Sequence, residues 1–197
     1  MELRKSIIAG ALICLASVLY VSLENHIVGA VMFAFGLVSV FELQANLFTG
    51  KAVDSHKYGF KKMALFLFGN TIGCAIVSYI ALLSAKSAQI YEVANSLCSA
   101  KFSHNTLELY CSGLLCGMLM AIAVCVNRDG RNNVAKTFVA VICVAGFILM
   151  GGEHCIADIG YMMLGKYIST SALVKMAFII AGNVIGSILV GELKGRD

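Results

Sequence analysis

FILMGGEHCIAD, at residues 147–158, gives the clearest indication of how this chain folds. An apolar run ends at two glycines, the polar pair Glu153-His154 follows, and an apolar segment resumes at Ile156. Each glycine weakens a helix by about 1 kcal/mol relative to alanine. A Glu-His pair is costly in a bilayer core unless it faces protein or water, and non-helical backbone is tolerated there only in such places. The stretch therefore predicts a membrane helix interrupted at 151–155.

A second polar interruption follows an earlier apolar run. Residues 42–51 read ELQANLFTGK and come directly after the apolar residues 27–41. Matching interruptions in corresponding spans of two halves are the best sequence indication of a transport site. We therefore expect the two breaks, near 44–51 and 151–155, to meet at one site.

The composition is that of a polytopic membrane protein. The 197 residues are 59% hydrophobic and 13% charged, whereas soluble domains carry about 25% charged residues. This argues against a disordered chain, an ordinary soluble protein and a free nucleic-acid binder. A membrane helix needs about 20 apolar residues, which predicts an all-α protein with six spans and a seventh, shorter segment. The spans are 6–23, 27–41, 63–83, 107–126, 134–150 and 173–190, and the short segment is 156–164.

The distribution of Lys and Arg predicts the orientation. Eleven of the 15 fall on one side of the alternating spans, in the N-terminus, 51–62, 127–136 and the C-terminus, which includes Arg196. Because Lys and Arg are enriched in cytoplasmic loops, both termini are expected in the cytoplasm of a multi-pass cell-membrane protein. The net charge of +4 reflects this topology and does not imply a nucleic-acid partner.

A short internal repeat divides the chain into two halves. Gly69-Asn70-Thr71-Ile72-Gly73 lies in the third span, and Gly182-Asn183-Val184-Ile185-Gly186 lies in the sixth. Three spans per half make the second half inverted relative to the first, which is a recurrent plan of transporters. The expected single channel domain, 1–197, contains halves at about 6–84 and 106–193. Small residues at this spacing also serve simply to pack helices closely, so both interpretations of Gly69, Asn70, Gly182 and Asn183 stay open.

Four motifs give the chain its resemblance to a known family. Leu47-Phe48-Thr49-Gly50, Gly152-Glu153-His154-Cys155-Ile156-Ala157-Asp158, the two Gly-Asn words and Arg128-Asp129-Gly130-Arg131 resemble the formate/nitrite transporter family in order and position. The resemblance runs from about Ile8 to Val190 and implies an aquaporin-like arrangement and a homopentamer with one pore per protomer. The chain departs from the family at Asp158, where Asn is commoner. It also departs at Gly117, where Asn is usual and where a polar pore contact is expected to be missing.

The resemblance implies roles for individual residues. His154 is the expected central pore histidine and Lys101 a vestibule charge that attracts anions, with Glu153 beside the histidine; the alternatives are a structural histidine and a loop charge in water. On the other break, the Thr49 hydroxyl can donate and accept, which makes it the counterpart of His154, although a turn residue before Gly50 is the alternative. Five apolar residues match the family's constriction rings, although without the resemblance such a stripe indicates ordinary core packing. They are Phe33, Leu37, Leu47, Phe48 and Phe147.

The function that the resemblance implies is a channel for small monovalent anions of weak acids. Formate, nitrite and hydrosulfide are candidates, with formate favoured, and coupling to a proton through His154 stays open beside passive flow. No enzyme activity, cofactor or metal site is expected, because no two of the eight cysteines are spaced as CxxC and no HExxH word occurs. The alternatives are a membrane assembly protein that does not transport and a membrane-embedded metalloenzyme.

Overall fold

The computed structural model is all-helical and describes residues 1–195, so Arg196 lies outside the described part of the chain. Within residues 1–195 the chain forms nine helices. They are α1 (Glu2–Val21), α2 (His26–Glu42), α3 (Phe48–Ala52), α4 (Ser55–Ala81), α5 (Ser87–Lys101), α6 (Thr106–Asp129), α7 (Asn133–Leu149), α8 (Cys155–Leu164) and α9 (Thr170–Lys194).

Four of these helices, α1, α4, α6 and α9, are long and apolar enough to cross a membrane. Helices α2, α7 and α8 are apolar but shorter. Each of the seven predicted apolar segments overlaps one of these helices. Polar caps set several of the starting points: the Asn25 side chain accepts hydrogen bonds at the start of α2, and Asn105 forms a capping box with Glu108 at the start of α6.

Glycines allow two pairs of long helices to pack with their backbones almost in contact. A Cβ atom on Gly73 of α4 would overlap the Ile7 carbonyl oxygen of α1. A Cβ atom on Gly186 of α9 would likewise overlap the Leu114 carbonyl oxygen of α6. Glycines of the two Gly-Asn words therefore lie where α4 packs closely on α1 and where α9 packs closely on α6.

Both interruptions lie where non-helical backbone was expected, but the first is shorter than predicted. Helix α2 ends at Glu42 and the chain resumes a helical turn at Phe48, so part of 44–51 is helical. Helix α7 ends at Leu149 and α8 begins at Cys155. Each break contains one left-handed residue at the corresponding position, Gln44 with φ 47° and Gly151 with φ 74°.

Helix α5 was not predicted from the sequence, because residues 87–101 lie between two predicted spans. The helix buries only Ile90, Ala94 and Cys98. This stripe recurs every four residues, which is the spacing of one helical face, so a search for periodicity would have found it. A search for long apolar runs missed it because the rest of the helix is polar.

The basic segments meet at one end of the molecule. Arg128 Nη1, at the end of α6, lies 2.9 Å from Asp54 Oδ2 in the turn before α4. Lys194 of α9 pairs with Asp129, and Lys62 Nζ lies 3.7 Å from Glu2 Oε1. We call this the basic end. The turns after α5 and α7 lie at the other end of α6 and α7, respectively.

Candidate functional site

The first break is held by the buried side chain of Asn70 on α4. Its Oδ1 accepts a hydrogen bond from the Phe48 backbone N–H at 2.8 Å. Its Nδ2 donates to the Ser6 carbonyl at 2.7 Å and to the Asn46 carbonyl at 3.0 Å. Asn70 thus fastens the start of α3 and the preceding loop to α1, and satisfies backbone groups that a continuous helix would have paired internally.

Asn183 on α9 does the same for the second break. Its Oδ1 accepts from the Cys155 N–H at 2.8 Å, and its Nδ2 donates to the carbonyls of Gly113 and Glu153 at 2.8 and 2.7 Å. A further pair of backbone bonds also corresponds, Asn46 N–H to Lys5 O at 3.2 Å and Glu153 N–H to Ser112 O at 3.3 Å. The two asparagines therefore do more than pack helices, and the two breaks are built alike.

Thr49 and His154, which the sequence placed on opposite breaks, meet in the structure. Thr49 Oγ1 and His154 Nε2 are 2.9 Å apart, although 105 residues separate them in sequence. His154 Nδ1 accepts the Ala157 backbone N–H at 3.2 Å. A ring nitrogen that accepts a hydrogen bond carries no proton, so the proton of the neutral ring lies on Nε2 and is donated to Thr49. Both side chains are buried, which leaves a neutral imidazole and a hydroxyl as the polar groups between the breaks.

Lys101, Glu153 and Asp158 form a charged triad beside His154. Lys101 Nζ pairs with Glu153 and lies 3.3 Å from Asp158 Oδ1. The Lys101 side chain is 18% exposed and the two acidic side chains are 5% and 1% exposed. Lys101 is the last residue of α5 and is held between two carboxylates at a cavity, so it is not a loop charge in water. Its role as a vestibule charge that attracts anions stays a prediction.

Two cavities lie on either side of the Thr49–His154 contact. The first, called the Lys101 chamber, has a volume of about 530 Å³ and is bordered by the triad, His154 and Phe147. The second, the Lys51 chamber, has a volume of about 380 Å³ and is bordered by Leu47, Lys51 and Arg128. Helix α6 reaches both, at Ser112 and at Val124. Twelve residues of helix span roughly 18 Å, so the chambers open toward opposite ends of the molecule.

The five predicted constriction residues are all buried, but only two of them border a chamber. Phe147 borders the Lys101 chamber, and its ring stacks on His154 with centroids 5.6 Å apart. Leu47 borders the Lys51 chamber. Phe33 packs edge-on against Phe147 at 6.1 Å. In the described part of the chain Phe33, Leu37 and Phe48 border neither cavity and lie in the buried apolar cluster, so their place in a constriction stays a prediction.

Gly117 corrects another expectation. The missing polar pore contact would require this position to face a chamber. Instead, a Cβ atom at Gly117 would overlap the Asn183 carbonyl of α9, and Ser187 Oγ donates to the Gly117 carbonyl at 3.1 Å. Gly117 is a close-packing position between α6 and α9, so no pore contact is lost there.

The motifs and this geometry agree with a comparison against protein families. The family model described as Formate/nitrite transporter matches residues 3–194. The chain belongs to the formate/nitrite transporter family. Because this is a family of transporters, membership favours transport over the enzyme alternative.

Individual relatives in the formate/nitrite transporter family are distant. The formate channel FocA of Escherichia coli (strain K12) is 27% identical over 187 residues, which cover 81% of this chain and 64% of that protein. The formate-nitrite transporter of Plasmodium falciparum is 25% identical over 234 residues, covering 96% of this chain and 75% of its own length. The chain thus spans less than two thirds of the length of the Escherichia coli relative.

Solved structures share the fold. A structure described as a pentameric formate channel with formate bound has a TM-score of 0.78 at 22% identity, covering 98% of this chain and 92% of that one. A second, described as an FNT family ion channel, has a TM-score of 0.77 at 22% identity and covers 96% and 85%. The TM-scores show that this all-helical member of the formate/nitrite transporter family shares the fold of both structures.

Proposed function

We propose that this chain is a membrane channel for small monovalent anions of weak acids, with formate favoured. The observation that carries the proposal is the Thr49–His154 hydrogen bond, 2.9 Å long, between two broken helices and between two chambers. Membership of the formate/nitrite transporter family supports it, as do the names of the Escherichia coli relative and of the similar solved structure.

The proposed arrangement is six spans in one domain, residues 1–197. Helices α2 with α3 and α7 with α8 each make one interrupted span, and the halves 6–84 and 106–193 form an inverted repeat. The matched bonds of Asn70 and Asn183 support this repeat. The basic end faces the cytoplasm with both termini, in keeping with the enrichment of Lys and Arg in cytoplasmic loops. By analogy with the pentameric structure, five copies assemble, each with its own pore.

The chemistry of the contact suits an anion that can accept a proton. A bare ion in an apolar passage is costly unless it is paired or hydrogen-bonded. The triad around Lys101 receives the anion, Phe147 and Leu47 exclude bulk water, and the Thr49 hydroxyl and His154 Nε2–H donate hydrogen bonds to it at the narrowest point. A weak-acid anion passes most easily when it leaves this point as the neutral acid, with the proton coming from water, or from His154 once its neutral ring has taken up a proton from water.

Stopped-flow uptake into proteoliposomes tests the proposal. Formate, nitrite, hydrosulfide and chloride are compared at two pH values, with liposomes that contain the His154→Phe variant as the background. We expect formate to enter fastest and chloride slowest. Equal rates for chloride and formate would contradict selectivity for weak acids. If no anion enters above the background, the chain is instead a non-transporting assembly protein, or, if the purified protein retains a metal, a metalloenzyme.

A further inference from the structure

Asp158 is the member of the triad that the proposed function leaves unexplained. Its side chain is 1% exposed, and among the described residues neither carboxylate oxygen has a hydrogen-bond partner. Lys101 Nζ lies 3.3 Å from its Oδ1, and that ammonium group also pairs with Glu153, whose carboxyl group is close to that of Asp158. A buried carboxylate without hydrogen bonds is costly, so Asp158 needs a proton, a ligand or both.

The charges around Asp158 do not balance. Among the described residues that border the Lys101 chamber, Lys101 is the single Lys or Arg. With Glu153 and Asp158 both ionised, one cation would face two buried anions, and the chamber would repel the anions it is proposed to admit. Titratable groups face α8 and its N-terminal residues from several elements. Among the described residues they are Lys101 and Cys98 of α5, His104 in the turn after α5, Cys14 and Tyr20 of α1, Cys74 of α4, Cys116 and Glu108 of α6, and Glu153, His154, Cys155 and Tyr161.

Among the described residues the neighbouring helices supply no second Lys or Arg to the chamber, and His104, which borders it, lies 3.3 Å from the carboxylate of Glu108. Thiols and phenols are ordinarily neutral at pH 7, and His154 accepts a backbone hydrogen bond at Nδ1, which keeps its ring neutral here. Helices α3 and α9 contribute the uncharged Thr49 and Asn183. Two carboxylates that share one site hold one proton more readily than either does alone.

We propose that Asp158 works as a protonated carboxyl group that donates a hydrogen bond to an anion in the Lys101 chamber, and that its ionisation closes the chamber to anions. The inference rests on the proposed function. It makes the protonation state of Asp158 the property that determines whether anions enter the chamber. On ionisation the proton passes to water, the carboxylate keeps the electron pair, and the chamber gains one negative charge. An amide would donate the same hydrogen bond without ionising.

Asp158→Asn is therefore the informative variant, and Glu92→Gln is its control. Glu92 is an exposed carboxylate on α5 that does not border the chamber. Initial rates of formate uptake are measured in proteoliposomes from about pH 5.5 to about pH 8.5, a range in which formate remains almost wholly ionised. The ratio of each variant's rate to the wild-type rate at the same pH removes effects common to all the proteins, including those of His154.

At the acid end we expect Asp158→Asn to transport formate at about the wild-type rate. At the alkaline end it should be at least about fivefold faster than wild type, because a unit charge about 4 Å from an anion changes its entry by about that factor even at the dielectric constant of water, and by more inside a protein. Glu92→Gln should follow wild type throughout. A ratio for Asp158→Asn that does not rise with pH would overturn the inference. Absence of formate uptake by wild type would instead contradict the proposed function.

Infrared spectroscopy tests the protonation without relying on transport. Wild-type protein in lipid should show a protonated-carboxyl C=O band at acid pH that disappears at alkaline pH and is missing in Asp158→Asn. If that band is absent from wild type at acid pH, or is unchanged in the variant, Asp158 does not carry the proton. This measurement decides the matter even if Asp158→Asn were inactive or poorly folded.

Discussion

At the scale of single residues, His154 combines three roles that no neighbour could take over. It caps α8 through Nδ1, donates to Thr49 through Nε2 and stacks on Phe147. Asparagine keeps a hydrogen-bond donor at this position, but its amide group does not gain or lose a proton at accessible pH. We expect His154→Asn to assemble normally and to lose the preference for formate over chloride by about tenfold or more, since transferred protons typically contribute at least that much. Uptake of both anions measures the preference.

Comparison of His154→Phe with His154→Asn distinguishes two effects. Both variants lose the titratable ring, but only phenylalanine fills the pore with an apolar side chain. His154→Phe leaves the Ala157 N–H and Thr49 without partners, which costs about 1–3 kcal/mol for each buried group. It should therefore abolish uptake and lower the melting temperature, whereas His154→Asn should retain some uptake. Wild-type selectivity together with an unchanged pH profile in the asparagine variant would return His154 to a purely structural role.

Lys101 is expected to matter for stability as well as for anion entry. Removal of its ammonium leaves Glu153 and Asp158 buried without a cation. Breaking a buried pair in this way costs about 3–5 kcal/mol, so Lys101→Ala should melt at a clearly lower temperature than wild type. Lys86→Ala, which removes an exposed lysine before α5, is the control. Equal melting temperatures for the two variants would show that the triad does not stabilise the fold.

At the scale of elements, the two asparagines decide whether the interrupted helices hold their shape. Asn70→Ala and Asn183→Ala each remove three hydrogen bonds from one break. At about 1–3 kcal/mol for each buried group left unpaired, either variant should be destabilised by about 3 kcal/mol or more and lose formate uptake. Thermal melting in detergent checks the first expectation.

Asn95→Ala is the matched control for these two variants. Asn95 Nδ2 makes one half-buried bond, to the Gly165 carbonyl at 2.8 Å. Its loss should cost about 1 kcal/mol. If all three variants melt alike, the asparagines of α4 and α9 do not hold the breaks.

Close packing within the helix pairs gives a second expectation at this scale. Gly186→Ala forces a Cβ atom into the Leu114 carbonyl, and overpacking of this kind typically costs about 1–3 kcal/mol. Gly146→Ala is the counterpart in α7, where the nearest atom to the new Cβ is Leu119 Cδ1 at 3.8 Å. That change should leave stability unchanged or raise it by up to about 1 kcal/mol. Melting temperatures that fall equally in both variants would contradict this account.

The sequence predicted the elements better than their contacts. Gly151, Gly152 and the polar residues after them mark the second break because their cost to a membrane helix is local. The partners of Lys101 could not be predicted from its position, because Glu153 is 52 residues away and a hidden helix, α5, delivers the lysine. The burial of Phe33, Leu37 and Phe48 away from both chambers likewise depends on tertiary packing, which a stripe of apolar residues does not specify.

At the scale of the whole molecule, each half contains the bonds by which its asparagine holds its own break. The bonds of Asn70 join residues 6, 46 and 48, and those of Asn183 join residues 113, 153 and 155. The Thr49–His154 bond crosses between the halves. A chain cut between Ser84 and Ser87, at the exposed turn before α5, should therefore assemble from two co-expressed pieces and transport formate above background.

A cut at 150–152 is the comparison, because it separates α7 from the loop that Asn183 holds. Co-purification of the two pieces and formate uptake are the measurements. Equal failure of both cuts would show that the halves are not independent units. Equal success would show that continuity through the second break is dispensable.

The bonds of Asn70 also determine which half of the protein can fold first, because all their partners lie earlier in the chain than Asn70 itself. Residues 1–81 leave the ribosome before any partner of Asn183 is complete, and they already carry every group that Asn70 needs. The first broken helix can therefore be closed in the membrane while the second half is still being synthesised. Thr49 is then already in a folded loop when His154, which is translated 105 residues later, is synthesised. The pore then forms when the second half docks onto a first half that has already folded. Ribosome stalling between the halves should therefore leave a folded first half in the bilayer.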